Sequence, residues 1–303
     1  MHGVAAQVEL DHRADLRRTL ALVGHGRTDP TIRYATDGIW RATRTPDGPG
    51  TIRLSVEPGG HVVGARTWGQ GAAWLLERAP AMCGALDSLD GFEPSRHPAV
   101  AKLAHDMPGM RLCRTERVLD ALVPAILEQK VTGREARRAW AGLVRRFGER
   151  APGPGPIDLL VAPSTACLRT VTSSTWHRLG VERKRAETIR RVATVADRLE
   201  QSSDGGELRR RLLSIPGVGP WTAAEVAVVA LGDPDAVSVG DYHLPHAVTW
   251  TLAGEPRGDD ARMLELLAPF AGHRGRVVRL IEAGGTMAPR RGPRMPLRRI
   301  QAH

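Results

Sequence analysis

Residues 213–223, which read LSIPGVGPWTA, decide the fold of this chain. The stretch lies between two segments whose apolar residues recur at helical spacing. Glycine tolerates positive φ and lets another group approach the backbone, and proline is accepted in the first turn of a helix. We therefore predict a helix, a tight turn at Pro216–Gly219 and a second helix that begins at Pro220.

The predicted turn is suited to binding a phosphate. The first amides of the second helix lack an intrahelical partner, and the helix dipole places positive potential at the same end. Such a site contacts a sugar–phosphate backbone without reading bases. An ordinary turn closed by glycine is the alternative, but the length of the string favours nucleic-acid binding. The predicted hairpin residues are Pro216, Gly217, Val218, Gly219 and Thr222.

A single acidic residue follows the turn. Asp241 lies in the string VGDYH, residues 239–243, directly before a predicted helix. Aspartate is a common N-cap residue. A carboxylate beside a nucleotide can also stabilise the positive charge that develops on the sugar when its bond to the base breaks, or activate a water molecule. The two roles are compatible, and we predict that Asp241 is catalytic.

Charge and cysteine content narrow the class of protein. The formal net charge is +10, and all but three of the 43 basic residues are arginine. This balance predicts a polyanionic partner, although a genome rich in arginine codons would produce the same bias. Cys83, Cys113 and Cys167 are widely spaced and too few for a four-thiolate zinc or iron–sulfur site. The start of the chain lacks a signal-peptide pattern and no long apolar run occurs, so we expect a cytoplasmic protein without membrane contact.

The composition changes near residue 94. Residues 1–93 carry β-prone segments separated by turn residues, which predicts an N-terminal antiparallel sheet domain with helices packed on it. Residues 94–288 show helical spacing of apolar residues, for example at 117–130 and 134–147. Residues 289–303 are rich in arginine and proline and are predicted to form a basic, disordered tail. The expected fold class is α+β.

The residues quoted above resemble a known motif. Residues 213–223 and the later Asp241 are similar to the helix–hairpin–helix motif and following aspartate of base-excision DNA glycosylases. The resemblance to the 3-methyladenine DNA glycosylase II branch extends through residues 125–131 (AILEQKV), 179–186 (LGVERKRA) and 268–274 (APFAGHR). It implies that the sheet domain leads into an all-α helix–hairpin–helix fold of two helical subdomains, with the active site in their cleft. It also implies a monomer that binds duplex DNA containing damaged bases and needs no cofactor.

The resemblance also indicates a base pocket. Chemistry on a base requires its extrusion from the duplex, and an aromatic face attracts a cationic alkylated purine. Trp221 and Tyr242 match pocket positions of the family, and Phe270 stands near another aromatic position; core packing is the alternative role. Glu225 stands where the branch has an aromatic residue. Its carboxylate could attract a cationic base, hydrogen-bond a neutral one, or point away.

Two further assignments follow from the resemblance. Gln129 and Lys130 stand where the family places the side chain that fills the gap left by the flipped base. Lysine is a poor wedge but a good phosphate partner, so Gln129 is the alternative gap-filling residue. The carbonyls of Leu213, Ile215 and Val218 are expected to hold a structural monovalent cation, and no catalytic metal is expected.

The lysine content bears on the type of reaction. Bifunctional members of the superfamily carry a Schiff-base lysine just after the hairpin, where this chain has Trp221, and no lysine follows Lys184. We therefore expect a monofunctional glycosylase that releases alkylated purines of the 3-methyladenine and 7-methylguanine type. Two alternatives stay open: a non-catalytic protein that binds damaged or distorted DNA, and a glycosylase for oxidised or deaminated purines.

Overall fold

The computed structural model describes residues 3–202 and 204–286, so the tail predicted at 289–303 lies outside the described residues. The described part combines a small antiparallel sheet with many helices, which confirms the α+β class. The strands are β1 Val4–Glu9, β2 Ile32–Ala35, β3 Gly38–Thr45, β4 Gly48–Val56, β5 Val62–Gly69, β6 Glu149–Arg150 and β7 Leu160–Val161.

Strands β1 to β5 form one antiparallel sheet in the order β1-β5-β4-β3-β2. The hairpin between β3 and β4 pairs Thr45 with Gly48, so only Pro46 and Asp47 form its loop. Residues 49 and 50, a proline and a glycine, pair with β3 although both residue types are common in turns. A proline is tolerated there because it stands at the beginning of a strand.

The two faces of this sheet are both covered. On one face, Ile52 and Leu54 join a core that continues into the helices. On the other face, Trp40 and Trp68 stack with their ring centroids 5.2 Å apart, beneath residues of the β6–β7 segment. A buried polar contact ties the first face to the helices, because Arg41 donates to Asp120 at 2.9 Å.

The helices begin and end close to the predicted positions. Their bounds are α1 Leu16–Thr19, α2 Ala72–Glu77, α3 Ala79–Met82, α4 Pro98–Asp106, α5 Val118–Glu128, α6 Gly133–Phe147, α7 Thr165–Thr170, α8 Ser173–Arg178, α9 Arg183–Thr194, α10 Ala196–Glu200, α11 Gly205–Leu213, α12 Pro220–Leu231, α13 Leu244–Ala253, α14 Asp260–Leu267 and α15 Arg274–Gly284. The helix predicted at 183–199 is divided into α9 and α10 at Val195, whose ψ of 15° departs from helical geometry. None of the helices described is long and apolar enough to cross a bilayer.

The helices pack around two hydrophobic clusters. The first joins the sheet to α5, α6, α9, α11 and α12. The second consists mainly of side chains from α4, α13, α14 and α15. Asp241 lies in the segment that connects α12 of the first cluster to α13 of the second, so the fold places it at the seam between them. The domain boundary predicted between residues 93 and 94 stays a prediction.

Helix α5 packs against α12, the helix that begins at the hairpin, so the position of α5 affects the hairpin. The N-terminus of α5 is capped from a distance by Glu200, whose carboxylate accepts hydrogen bonds from the amides of Val118 and Leu119 at 2.9 and 3.0 Å. Arg117 lies 3.2 Å from the same carboxylate. Burial raises the pKa of Glu200, and the helix amides and the guanidinium counteract it. The first turn of helix α5 is therefore fixed in position, and the last turn of the same helix lies beside the hairpin.

Candidate active site

The hairpin has the geometry predicted from its sequence. Helix α11 ends at Leu213, α12 begins at Pro220, and the Val218 amide donates to the Ile215 carbonyl at 3.0 Å. Gly217 has a φ of +100°, and a Cβ added there would lie 2.1 Å from the Thr188 hydroxyl oxygen. Both the backbone conformation and the close approach of α9 therefore require glycine at position 217.

The other glycine of the hairpin faces open space. A Cβ added to Gly219 would meet no atom within 4 Å, and its φ of −106° is open to any residue. Gly219 is the N-cap of α12 and provides no side-chain cap to the first amides of that helix. By contrast, α6 is closed by a complete capping box between Thr132 and Glu135. The start of α12 thus presents uncapped amides and an unobstructed backbone, the features expected of an anion site.

Side chains from α5 and α9 brace the hairpin. Gln129, at the end of α5, donates from its amide nitrogen to the Gly217 carbonyl at 3.0 Å and to the Thr222 hydroxyl at 2.9 Å. Arg191 donates to the Pro216 carbonyl at 3.2 Å. Thr222 and Gln129 therefore take part in the hydrogen bonds that hold the hairpin in place. Insertion of Gln129 into a duplex would break both of its bonds, and its gap-filling role stays a prediction.

Lys130 has an unusual backbone conformation at the end of α5. Its φ is +56°, in the left-handed region that non-glycine residues seldom occupy, and its side chain is exposed. The helix end before it is fixed, because the buried Arg185 donates to the Leu127 carbonyl at 2.7 Å. Strain of this kind occurs preferentially at functional positions. Of the two predicted gap-filling residues, Lys130 is thus the one presented to solvent.

The predicted cation site involves the carbonyls of the same turn. The Ile215 carbonyl already accepts the Val218 amide, which leaves one of its lone pairs for a cation. Together with Leu213, the turn thus offers three carbonyl groups, and the cation stays a prediction. Within residues 3–202 and 204–286, no cluster of three or more histidine, cysteine, aspartate or glutamate side chains could hold a metal ion.

Asp241 is held by three hydrogen bonds. Its Oδ1 accepts the amides of His243 and Leu244 at 2.7 and 2.8 Å, so it caps the start of α13. Its Oδ2 accepts the indole N–H of Trp221 at 3.0 Å. An ionised carboxylate offers about four lone-pair sites. The three bonds fix its orientation, stabilise its negative charge and leave Oδ2 one site for a further interaction.

The two predicted aromatic residues lie beside this carboxylate. Trp221, in the first turn of α12, is partly buried and contacts Asp241 through its ring nitrogen. Tyr242 follows Asp241 and is 79% exposed. Its ring meets those of His243 and His246 edge-on, with centroids 4.9 and 6.1 Å away. Trp221 therefore orients the carboxylate, while Tyr242 offers an aromatic surface to solvent.

Glu225 points towards the Asp241 segment. Its carboxylate accepts hydrogen bonds from the hydroxyl of Ser238 and from Arg279, the latter at 3.0 Å. Arg279 is only 4% exposed and also donates to Glu282 at 2.6 Å. Whether Glu225 contacts a base stays a prediction. Arg279 is not among the residues predicted from the sequence, although a charge within the apolar run of residues 277–281 was a usable signal.

These contacts place two further carboxyl groups and one arginine near Asp241. Glu225, Glu282 and Asp241 provide three carboxylates, and Arg279 pairs with two of them. Desolvation raises the pKa of Glu282, Arg279 opposes this rise, and the nearby charges of Glu225 and Asp241 add to it. The influence of Asp241 on Glu282 places both carboxylates in one electrostatic neighbourhood.

Phe270 lies elsewhere. It is 4% exposed and belongs to the second hydrophobic cluster, at the end of a short 3₁₀ turn between α14 and α15. The structure therefore brings together Asp241, Trp221, Tyr242 and Glu225, and it places Phe270 in the core. The assignment of Phe270 to the base pocket stays a prediction.

Comparison with known sequences connects this chain to a DNA repair protein. No protein-family model matches it. A curated relative from Mycobacterium tuberculosis, described as a probable bifunctional transcriptional activator/DNA repair enzyme AlkA, is 31% identical over 230 residues. The match covers 71% of this chain and 44% of the relative. The chain thus spans less than half the length of the curated relative that it matches.

Comparison with solved structures shows a shared fold. A 3-methyladenine DNA-glycosylase from Archaeoglobus fulgidus matches with a TM-score of 0.77 at 17% identity, over 91% of this chain and 97% of the other. An 8-oxoguanine glycosylase/lyase from Clostridium acetobutylicum, in complex with duplex DNA, matches with a TM-score of 0.68 at 14% identity. That match covers 91% of this chain and 96% of the other. The sheet and both helical clusters are thus part of one common architecture.

Proposed function

Because the chain belongs to the helix–hairpin–helix family of 3-methyladenine DNA glycosylases, we propose that it hydrolyses the bond between sugar and base of damaged purines in duplex DNA, a reaction of base-excision repair. One observation carries the proposal. The carboxylate of Asp241 is oriented by Trp221 and by two helix amides, and it keeps one lone-pair site on Oδ2 for a substrate.

DNA binding is assigned to the hairpin. The uncapped amides at the start of α12 would donate to one phosphate, and Gly219 leaves room for its approach. The braces from Gln129 and Arg191 keep the hairpin rigid, so little ordering entropy is lost on binding. Exposed Lys130 would contact a second phosphate or enter the gap left by the flipped nucleotide. These contacts ignore base sequence, as a search for scattered lesions requires.

The chemical step is assigned to Asp241. As the bond to the base breaks, positive charge develops on the sugar, and a fixed carboxylate beside the anomeric carbon lowers the barrier electrostatically. The same oxygen could accept a proton from the attacking water. Both roles require the carboxylate to keep one orientation, and the helix amides that bind Oδ1 hold it in place.

We propose alkylated purines as substrates and base release without strand cleavage. N3- and N7-alkylated purines carry positive charge, which suits the exposed aromatic ring of Tyr242 beside the carboxylate of Asp241. Trp221 occupies the position of the Schiff-base lysine, and its N–H is engaged by Asp241. No amine nucleophile is therefore available at that place. The protein would act on duplex DNA as a monomer.

Base release from defined lesions tests the proposal. Duplexes that carry 7-methylguanine, hypoxanthine or 8-oxoguanine are incubated with excess protein, and abasic sites are revealed by alkaline cleavage. We expect release from the methylated duplex, no nicking before alkali, and a loss of at least about 10²–10³-fold in the rate for Asp241→Asn. DNA affinity, measured in parallel, should persist in that variant. Undiminished release by Asp241→Asn would remove the proposed catalytic role.

A further inference from the structure

The structure has a groove of positive charge that the proposed chemistry does not use. It runs along α6 towards the end of α8, and its lining includes five arginines and no acidic residue. The arginines are Arg134, Arg137, Arg138, Arg145 and Arg178. The small residues Ala141 and Gly142 form its floor, which makes it a groove rather than a ridge.

The arginines of α6 occupy the face opposite its core residues. The buried side of the helix contains Ala136, Ala139, Trp140, Leu143 and Val144. From Arg134 to Arg145 the charged face extends about 16 Å, at about 1.5 Å per residue. Each strand of duplex DNA carries about one phosphate charge per 3.4 Å of the helix axis, so this length faces several phosphates of one strand.

Local stability does not explain this charge. Arg134 lies in the first turn of α6, where the helix dipole disfavours a cation. Neither Arg134 nor Arg137 forms an ion pair with any residue that the structure describes. Arg145 donates to the Thr28 carbonyl, a neutral partner, at 3.1 Å. Arginine side chains without carboxylate partners are suited to bidentate binding of phosphate oxygens.

The helix that carries the groove follows closely in sequence on the segment that contacts the proposed DNA-binding hairpin. Lys130, exposed at the end of α5, precedes Arg134 by four residues, and Gln129 next to it is bonded to the hairpin. A strand held at the hairpin and at Lys130 would therefore continue towards the beginning of α6. The side chains of the groove lie on a helix, so their spacing is fixed before binding.

We propose that this arginine groove binds the sugar–phosphate backbone of duplex DNA that flanks the lesion. The inference rests on the proposed function, because it takes the partner to be duplex DNA held at the hairpin. It adds a second contact region that increases affinity and does not contribute to base release. The duplex must therefore extend beyond the lesion for full affinity.

Salt dependence tests the groove directly. The double variant Arg134→Gln, Arg137→Gln is compared with Arg66→Gln, Arg257→Gln, which removes the same charge from exposed arginines that line neither the groove nor the hairpin. Affinity for a long and a short lesion duplex is measured by fluorescence anisotropy between 50 and 200 mM salt. For two lost phosphate contacts, the slope of log K against log salt should become shallower by about 1.8, a change of about tenfold across this range.

The outcomes separate the groove from the active site. The proposal expects the groove variant to lose affinity for the long duplex only, and to release base at the parental rate at saturating DNA. Equal slopes for the groove and control variants would overturn it. Loss of affinity for single-stranded RNA without loss for duplex DNA would overturn it as well, in favour of an RNA partner. Parental protein that binds DNA but releases no base would refute the proposed function and leave the groove measurement valid.

Discussion

The hydrogen bond between Trp221 and Asp241 makes a quantitative prediction. Trp221→Phe removes the indole N–H that donates to Oδ2 at 3.0 Å and keeps an aromatic ring in the cleft. Hydrogen bonds to charged groups contribute about 1.5–3 kcal/mol. If that orientation is needed in the transition state, the single-turnover rate of 7-methylguanine release should fall by about 10–150-fold.

The double variant shows whether Trp221 acts through Asp241. In Asp241→Asn, the side-chain oxygen can still accept the helix amides, but its NH₂ group then faces the indole N–H of Trp221. This mismatch should lower the melting temperature, and adding Trp221→Phe should recover part of the loss. The base-release rate should not fall further in the double variant, because the indole then has no charged group to orient.

The assay compares single-turnover rates and melting temperatures for the parent, both single variants and the double variant. Trp74→Phe, on α2 and outside the cleft, is the matched tryptophan control and should keep the parental rate. An additive result would refute the reasoning. If Trp221→Phe slows release by the same factor with and without the Asp241 carboxylate, then Trp221 acts by stacking and not by positioning.

Three further predictions concern the hairpin, the loop before α15 and the cleft. Gly217→Ala should lower both the melting temperature and DNA affinity, since a side chain at φ +100° costs about 1–3 kcal/mol. Gly219→Ala should lower only DNA affinity. Thermal unfolding and fluorescence anisotropy measure the two effects. Burial raises the pKa of Asp235, but its hydrogen bonds with Arg274 have the larger combined effect, so the pKa lies below the ordinary value of 3.8. This pair therefore stabilises the protein above pH 3.8, and the stabilisation is lost as the pH falls through the lowered pKa. Asp235→Asn should therefore reduce the melting temperature at pH 7, with a difference that closes at acidic pH; a difference independent of pH would contradict this. Glu225→Gln should reduce release of cationic 7-methylguanine about tenfold more than release of neutral hypoxanthine, which corresponds to about 1.4 kcal/mol. Equal losses for the two bases would indicate that Glu225 has a purely structural role.

Much of the scaffold could be predicted from local sequence. Residues 213–223 predicted the end of one helix, a glycine turn and a second helix that begins at a proline, and the structure has all three at the expected residues. The helix periodicity of residues 117–130 and 134–147 predicted α5 and α6 within a few positions. These features depend on near neighbours in the chain, and their physics is therefore visible in the sequence.

The partners of the site side chains could not be predicted in this way. The pairing of Glu225 with Arg279 joins residues from α12 and α15, and the braces of the hairpin come from α5 and α9. Such contacts depend on how helices distant in sequence pack against one another, which no local pattern encodes. For the same reason, the sequence could not decide between a pocket position and core packing for Phe270, which lies in the core.

The position of a bound sugar tests the central claim most directly. A crystal structure of the protein with a duplex that contains an abasic-site analogue would show the distance from the Asp241 carboxylate to the anomeric carbon. The account predicts that this distance is within about 4–6 Å, the range of strong charge interaction, with the Trp221 bond retained. A complex in which the hairpin holds the duplex while Asp241 stays far from the sugar would contradict it.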